Sequence, residues 1–215
     1  MLPIFGNAQN TNLEYFLSFG PTISMPKISD AAFDGGDTKR SGKAYLGFDF
    51  RAAALKEFDR IRIQLSIGSN LTKYGFSSDD LIFPEDAQAM TRSSILATNS
   101  VLSVSFGLKF GHYISDNGWF IDIGPNIEHE INNNSYQKIS FGYNPSLMDI
   151  KDEKDDIYES GTRMILDLHV GKRPVDNGGF GFTIGPGIAL NKHKYYSTGW
   201  NVRQNKFLAA ITYYL

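Results

Sequence analysis

With 215 residues and a formal charge of -2, the chain is long enough to bury a full core as one domain and carries no basic field for nucleic acid. It contains no cysteine, which excludes disulfides, thiolate chemistry and cysteine zinc sites. No apolar run reaches the eighteen or so residues of a spanning helix, so any membrane crossing must be made by strands.

Residues 1–10 are apolar and then small. Gly6-Asn7-Ala8 before Gln9 has the small-x-small character of a signal-peptidase site, although no basic segment precedes it. This stretch reads as the remnant of an export signal or a loose extension, and residues 11–215 as a single barrel domain. From Leu13 apolar residues recur at every second position, the period of a strand whose two faces meet different surroundings. The first strand, to about Met25, sets Leu13, Tyr15, Leu17, Phe19 and Ile23 against Glu14, Ser18, Gly20, Thr22 and Ser24. A polar connection follows to Arg40. The second, near Lys43 to Ala52, sets Ala44, Leu46, Phe48 and Phe50 against Lys43, Tyr45, Gly47, Asp49 and Arg51, and Ala52 to Glu57 reads as a tight connection.

The third strand alternates most cleanly, with Ile61, Ile63, Leu65 and Ile67 opposite Arg60, Arg62, Gln64 and Ser66. Thr72 to Thr98 reads as a long connection with a helical turn near Pro84 to Met90. The fourth strand opposes Leu102, Val104, Phe106, Leu108 and Phe110 to Ser103, Ser105, Gly107 and Lys109, and ends at Asn117-Gly118, a strong hairpin signal. The fifth carries Trp119, Ile121, Ile123 and Ile127 against Asp122, Gly124, Asn126 and Glu128. A polar excursion from Ile131 to Glu159 holds the acidic run Asp149 to Asp156 and short strand extensions around Tyr136 to Tyr143. The sixth opposes Met164, Leu166, Leu168 and Val170 to Arg163, Asp167 and His169. The seventh runs from Phe180 to Leu190 and the eighth from Phe207 to Leu215.

Four upward strands share a signature: Phe19-Gly20-Pro21-Thr22-Ile23, Ile67-Gly68-Ser69-Asn70-Leu71, Ile123-Gly124-Pro125-Asn126-Ile127 and Ile184-Gly185-Pro186-Gly187-Ile188. Each reads as a strand ending, with glycine on the polar face and Pro21, Pro125 and Pro186 marking bulges or pairing breaks. Long connections alternate strictly with short ones. The fold expected is therefore all-β, an eight-stranded antiparallel up-and-down transmembrane β-barrel with short turns at one end and long loops at the other.

The apolar faces carry no charge in any of the eight strands, whereas a Lys or Arg facing mid-bilayer costs roughly 2–4 kcal/mol. The opposite faces hold Glu14, Lys43, Asp49, Arg51, Arg60, Arg62, Lys109, Asp122, Glu128, Arg163, Asp167 and His169. Unpaired in a dry core these would be severely desolvated, so they are expected to interlock across a polar lumen with Phe16, Tyr45 and Phe120 helping to plug it. A lipocalin-like soluble barrel would instead turn the apolar faces inward around a ligand.

With its repeated Gly-Pro strand segments and its last residues, Ala210-Ile211-Thr212-Tyr213-Tyr214-Leu215, the chain resembles the small outer-membrane β-barrel proteins of the porin-like superfamily, common in Gram-negative bacteria and especially the Bacteroidota. The resemblance implies the outer membrane as location. Its implied partners are outer-membrane lipids and lipopolysaccharide, the barrel-assembly machinery that reads the carboxyl-terminal strand, and an extracellular ligand reached through the loops. A monomer without cofactor, metal or enzymatic activity is expected, in a structural or surface-interaction role. The alternatives are a narrow channel for small solutes and a lipid A-modifying enzyme such as a deacylase. His112-Tyr113-Ile114-Ser115 resembles the His-x-Ser-Asn segment of outer-membrane lipid A deacylases but departs from it by one residue. Asp167 and His169 form a pair suited to base chemistry, with no nucleophile placed beside them. Trp200, Tyr195, Tyr196, Phe33 and Tyr74 offer either a contact surface among the loops or rim aromatics at the headgroup level.

Overall fold

The alternation is realised as one closed antiparallel ladder. A computed structural model describes residues 13–29, 39–82, 91–141, 148–150, 161–175, 178–194 and 201–215. Eight strands make the wall: β1 (Leu13–Ser29), β2 (Lys39–Phe58), β3 (Ile61–Ile82), β4 (Thr91–Tyr113), β5 (Trp119–Phe141), β7 (Thr162–Lys172), β8 (Gly179–Ala189) and β10 (Asn201–Tyr214). Each pairs with its neighbour in sequence, and β1 closes the sheet on β10, from Phe16 opposite Tyr214 to Ser29 opposite Asn201. Two short pieces are added at the long-loop end, β6 (Met148–Ile150) on β5 and β9 (His193–Lys194) on β10. The expected barrel is the observed one.

The strand lengths differ from the reading above in an instructive way. Ala52 to Phe58 continues β2, because Ala53 and Leu55 point inward and the segment is paired on both sides, from Leu13 opposite Lys56 to Phe58 opposite Ile61. Pairing overrides the helix propensity of the alanines. Thr72 to Thr98 is also mostly strand, since β3 and β4 stay paired up to Ile82 opposite Thr91. Above the apolar belt apolar and polar residues no longer alternate with period two, so the hydropathy contrast that marks a strand fades while the hydrogen-bond ladder persists. The helical turn expected near Pro84 lies outside the described residues.

The short turns sit together at one end. Asp59-Arg60 joins β2 to β3 with Asp59 at φ 56°, and Gly118, at φ 81°, closes the turn between β4 and β5. Leu13, Leu17, Phe19, Leu65, Ile67, Phe106, Ile123 and Ile211 are exposed on the outer face, while the residues between them are enclosed. In a protein surrounded by water such a belt would be a severe liability. It suits a wall solvated by hydrocarbon, in which a closed barrel satisfies every ladder without an edge, and the chain is a transmembrane β-barrel. At the short-turn end the belt finishes in aromatics: Trp119 meets Phe182 edge-on at 5.5 Å, and Phe180 tilts against Tyr213 at 5.0 Å.

The Gly-Pro signature lies inside the wall, not at strand ends. Pro21 pairs with Phe48, Pro125 with Leu166 and Pro186 with Phe207, so the ladder is continuous on that side. On the other side pairing skips two residues in each case: Gly20 and Pro21 facing β10, Gly124 and Pro125 facing β4, Gly185 and Pro186 facing β7. Register is unchanged across all three gaps, so they are pairing breaks and not bulges. Proline has no N–H to donate, so the ladder is interrupted at each of these copies. A methyl group at Gly20 would overlap the Ala209 carbonyl oxygen, at Gly124 that of Leu108, and at Gly185 that of Leu168. The register shift nearest the proline-free copy lies between β2 and β3, between Ala44 and Phe48.

Candidate functional site

Inward-facing positions on six strands bring together charges that are distant in sequence. Within the enclosed lumen the carboxylates Asp49, Asp122, Glu128, Glu130 and Asp167 are matched in number by Arg51, Arg62, Lys109, Arg163 and Lys206, with His169 among them. A balanced set avoids a net charge in a low-dielectric space, where an unpaired ion is costly.

At mid-wall Arg51 from β2 holds Asp49 through two hydrogen bonds of 2.6 and 3.0 Å and reaches Asp167 of β7 at 3.1 Å. Lys109 of β4 lies 3.3 Å from the same Asp167 carboxylate and donates to His169 Nδ1 at 2.8 Å. That bond uses the lone pair a base would need. Asp167 Oδ1 is 4.0 Å from His169 Nε2. The pair is thus absorbed into an ion cluster in which Asp167 serves two cations.

Toward the long loops the centre is Glu128, which accepts from Lys206 and from Asn70 at 2.8 Å and is ion-paired with Arg163 at 3.3 Å. Arg163 also lies 3.5 Å from Glu130, donates to Ser103 at 2.9 Å and bonds Gln204. Lys206 Nζ sits 3.9 Å from Asp49, which ties this cluster to the mid-wall one.

Toward the short turns the lumen becomes apolar. Phe16, Ala53, Leu55 and Tyr214 form a buried cluster, with the Phe16 and Tyr214 rings 5.3 Å apart. The Arg62 guanidinium lies 3.6 Å from the Phe120 ring centre and 3.2 Å from Asp122, a cation held by a ring face and a carboxylate. Below this layer Arg173, just past β7, pairs with Glu57 at 2.6 Å and Glu14 at 3.2 Å, and donates to the hydroxyl of Tyr113, which itself donates to Glu57. Burial disfavours charge on Arg173, but its bonds to Tyr113 and Glu57 outweigh that and hold the guanidinium above its ordinary pKa. A vestibule of about 390 Å³ opens beside this cluster, whereas between Arg51, Arg62, Lys109, Asp122 and His169 the packing leaves only about 20 Å³. That is room for about one water.

The placement of the twelve candidates divides them. Asp49, Arg51, Arg62, Lys109, Asp122, Glu128, Arg163, Asp167 and His169 are buried in the lumen, and Glu14 is half-buried at its short-turn mouth. Lys43 is exposed: the one-residue shift in β2 puts it opposite Gly75 and turns it outward. Arg60 lies in the turn, 55% exposed, and pairs with Asp116 outside the lumen. Lys206, Glu130, Glu57 and Arg173 were not among the candidates. Extending the alternation of the eighth strand back past Phe207, and of the second on past Ala52, would have found Lys206 and Glu57.

Other features are equally plain. His112 is exposed on the outer wall opposite Ile61 and Ile121, while Ser115 lines the vestibule, so the two do not share a surface. Tyr74 is buried in the barrel and belongs to no loop surface; Phe33, Tyr195, Tyr196 and Trp200 lie outside the described residues. The acidic run is outside the described side chains. Among the described residues no group of three or more His, Asp or Glu is arranged to hold a metal ion.

No family model matches the chain, and no curated protein matches it. Solved structures do. Neisserial surface protein A is 10% identical, with 93% of this chain and 96% of that one covered at a TM-score of 0.39. Ail, the attachment invasion locus protein of Yersinia pestis, is 14% identical over 94% and 99% at 0.44. The outer membrane protein OprG from Pseudomonas aeruginosa is 10% identical over 95% and 97% at 0.39.

Proposed function

We propose that this is a monomeric barrel of the Gram-negative outer membrane, of the porin-like type, with a closed lumen and a structural or surface-interaction role. The observation that carries the reading is the charge-balanced plug: five carboxylates and five cations from six strands fill the cross-section above an aromatic layer. A conducting pore needs a continuous wet path, and eight strands enclose a space only wide enough for side chains. Short turns at the end where both β1 and β10 meet the belt, and long connections at the other, support insertion with the turns toward the periplasm.

The surface-interaction part rests on the uneven wall. β3, β4 and β5 run for 22, 23 and 23 residues, β7 and β8 for 11 each. Eleven residues suffice to cross hydrocarbon, so the taller strands project by roughly ten residues, about 33 Å of strand. A projecting polar sheet gives a loop-side platform for an extracellular ligand. The test is twofold. The protein should sediment with outer-membrane fractions and, reconstituted in planar bilayers, show no stable single-channel current; large, stable openings would replace the closed-plug reading with that of a narrow channel.

A further inference from the structure

Among the described side chains the charges on the outer wall of the strands are cations, and their surroundings differ between its two ends. On the long-loop side, just beyond the apolar belt, consecutive strands each present a cation outward. Arg203 on β10 is paired directly with Lys27 on β1, Lys43 on β2 follows Leu46 and Phe48, and Lys73 on β3 follows Leu71. Lys192, past the end of β8, is exposed on the same side. Cross-strand partners share a face, so Arg203 and Lys27 stand together. Among the described side chains every carboxylate lies in the lumen or at the short-turn end, and none stands beside this arc. Arg203 Nε is enclosed and has no hydrogen-bond partner among the described residues. The short-turn end differs: its outward lysines rest on rings, Lys56 at 5.3 Å from Phe58 and Lys172 at 5.9 Å from Trp119.

We propose that this arc binds the phosphate groups of a phosphorylated saccharolipid in the leaflet on the long-loop side. The inference rests on the outer-membrane reading and names the lipid partner within it. Two observations select the ligand class. A line of cations just outside a hydrocarbon belt lies at the depth of lipid phosphates and is complementary to them in charge. The strands that rise above it then present hydroxyl groups outward, with Ser41 and Ser77 joined at 2.8 Å, while Ser100 and Asn134 stand level with Lys73 on the two neighbouring strands. A glycerophospholipid headgroup ends near the phosphate. A saccharolipid continues upward with sugar hydroxyls, which such side chains hydrogen-bond.

The experiment is native mass spectrometry of the full chain in detergent, titrated with bisphosphorylated lipid A and, in parallel, with phosphatidylglycerol. Lys27→Gln, Lys43→Gln, Lys73→Gln and Arg203→Gln combined should weaken lipid A binding by about tenfold or more, as each cation near an anionic headgroup contributes about fivefold. Lys56→Gln with Lys172→Gln should leave it unchanged. Heat-modifiable migration verifies folding, and if the combined variant does not fold, Lys43→Gln with Lys73→Gln should still cost about fivefold or more. Unchanged lipid A binding in the folded variant overturns the proposal, as does phosphatidylglycerol binding equally well and falling in parallel. Because the titration is done in detergent, its outcome is independent of membrane fractionation, which judges the location.

Discussion

The two faces of β3 obey different rules. Inward, Arg62 is fully buried between the Phe120 ring and Asp122, and Asn70 donates to both Glu128 and Asp49. Outward, Leu65 is 63% exposed and Ile67 51%, touching what the membrane supplies. An inner residue is specified by particular partners on other strands; an outer one only by the class of solvent. The inner face therefore fixes register and plug geometry, while the outer face fixes where the barrel can reside.

The largest effect should come from an inner position that serves two partners. Asp167→Ala leaves Arg51 and Lys109 without their shared carboxylate in an enclosed space, and breaking a buried pair by removing one partner costs about 3–5 kcal/mol. Urea unfolding in lipid vesicles, followed by heat-modifiable mobility, measures it. Leu168→Ala, its outward neighbour, should cost far less, because lipid fills the space left. Equal losses would erase the distinction between the faces. On the outer face the rule inverts, and chemistry matters where shape does not. Ile67→Arg near the middle of the belt should destabilise by about 2–4 kcal/mol in vesicles, whereas Ile67→Leu should stay below about 1.5 kcal/mol. An arginine tolerated there would mean that this part of the wall faces something other than lipid.

The same asymmetry decides what was legible in the sequence. Period-two alternation marks a strand only where the two faces meet different media, so the belt from Ile61 to Leu71 was readable, while the paired stretch above it, from Thr72 to Ile82, was not. Inner charges followed from parity once a strand was placed. Lys43 did not, because the extra residue in β2 reverses parity, and nothing in Ala44-Tyr45-Leu46-Gly47 marks it locally. Which acid meets which base was also beyond reach: Arg51 and Asp167 are 116 residues apart, and their contact depends on the stagger of the closed barrel. The Gly-Pro repeat was legible as a recurring device but misplaced at strand ends. Proline's missing donor looks like a terminus until the opposite ladder is known to continue.

The smallest expected effect tests that device. Gly124 faces the lumen and Pro125 the lipid, and the Leu108 carbonyl oxygen lies over the glycine where the ladder to β4 is interrupted. Gly124→Ala alone should destabilise by about 1–3 kcal/mol, the cost of forcing a methyl group into filled space. Pro125→Ala alone should be nearly neutral. It restores an N–H that can donate across the gap, about 0.5–1.5 kcal/mol, and gives up a proline constraint of similar size, about 0.4–1 kcal/mol. If the missing donor is what displaces the carbonyl, closing the ladder draws the oxygen back and clears space above residue 124. The alanine at 124 should then cost measurably less in the Pro125→Ala background, a coupling of about 0.5 kcal/mol or more in a double-mutant cycle. Strict additivity would mean that glycine and proline are separate features of the wall that happen to be adjacent.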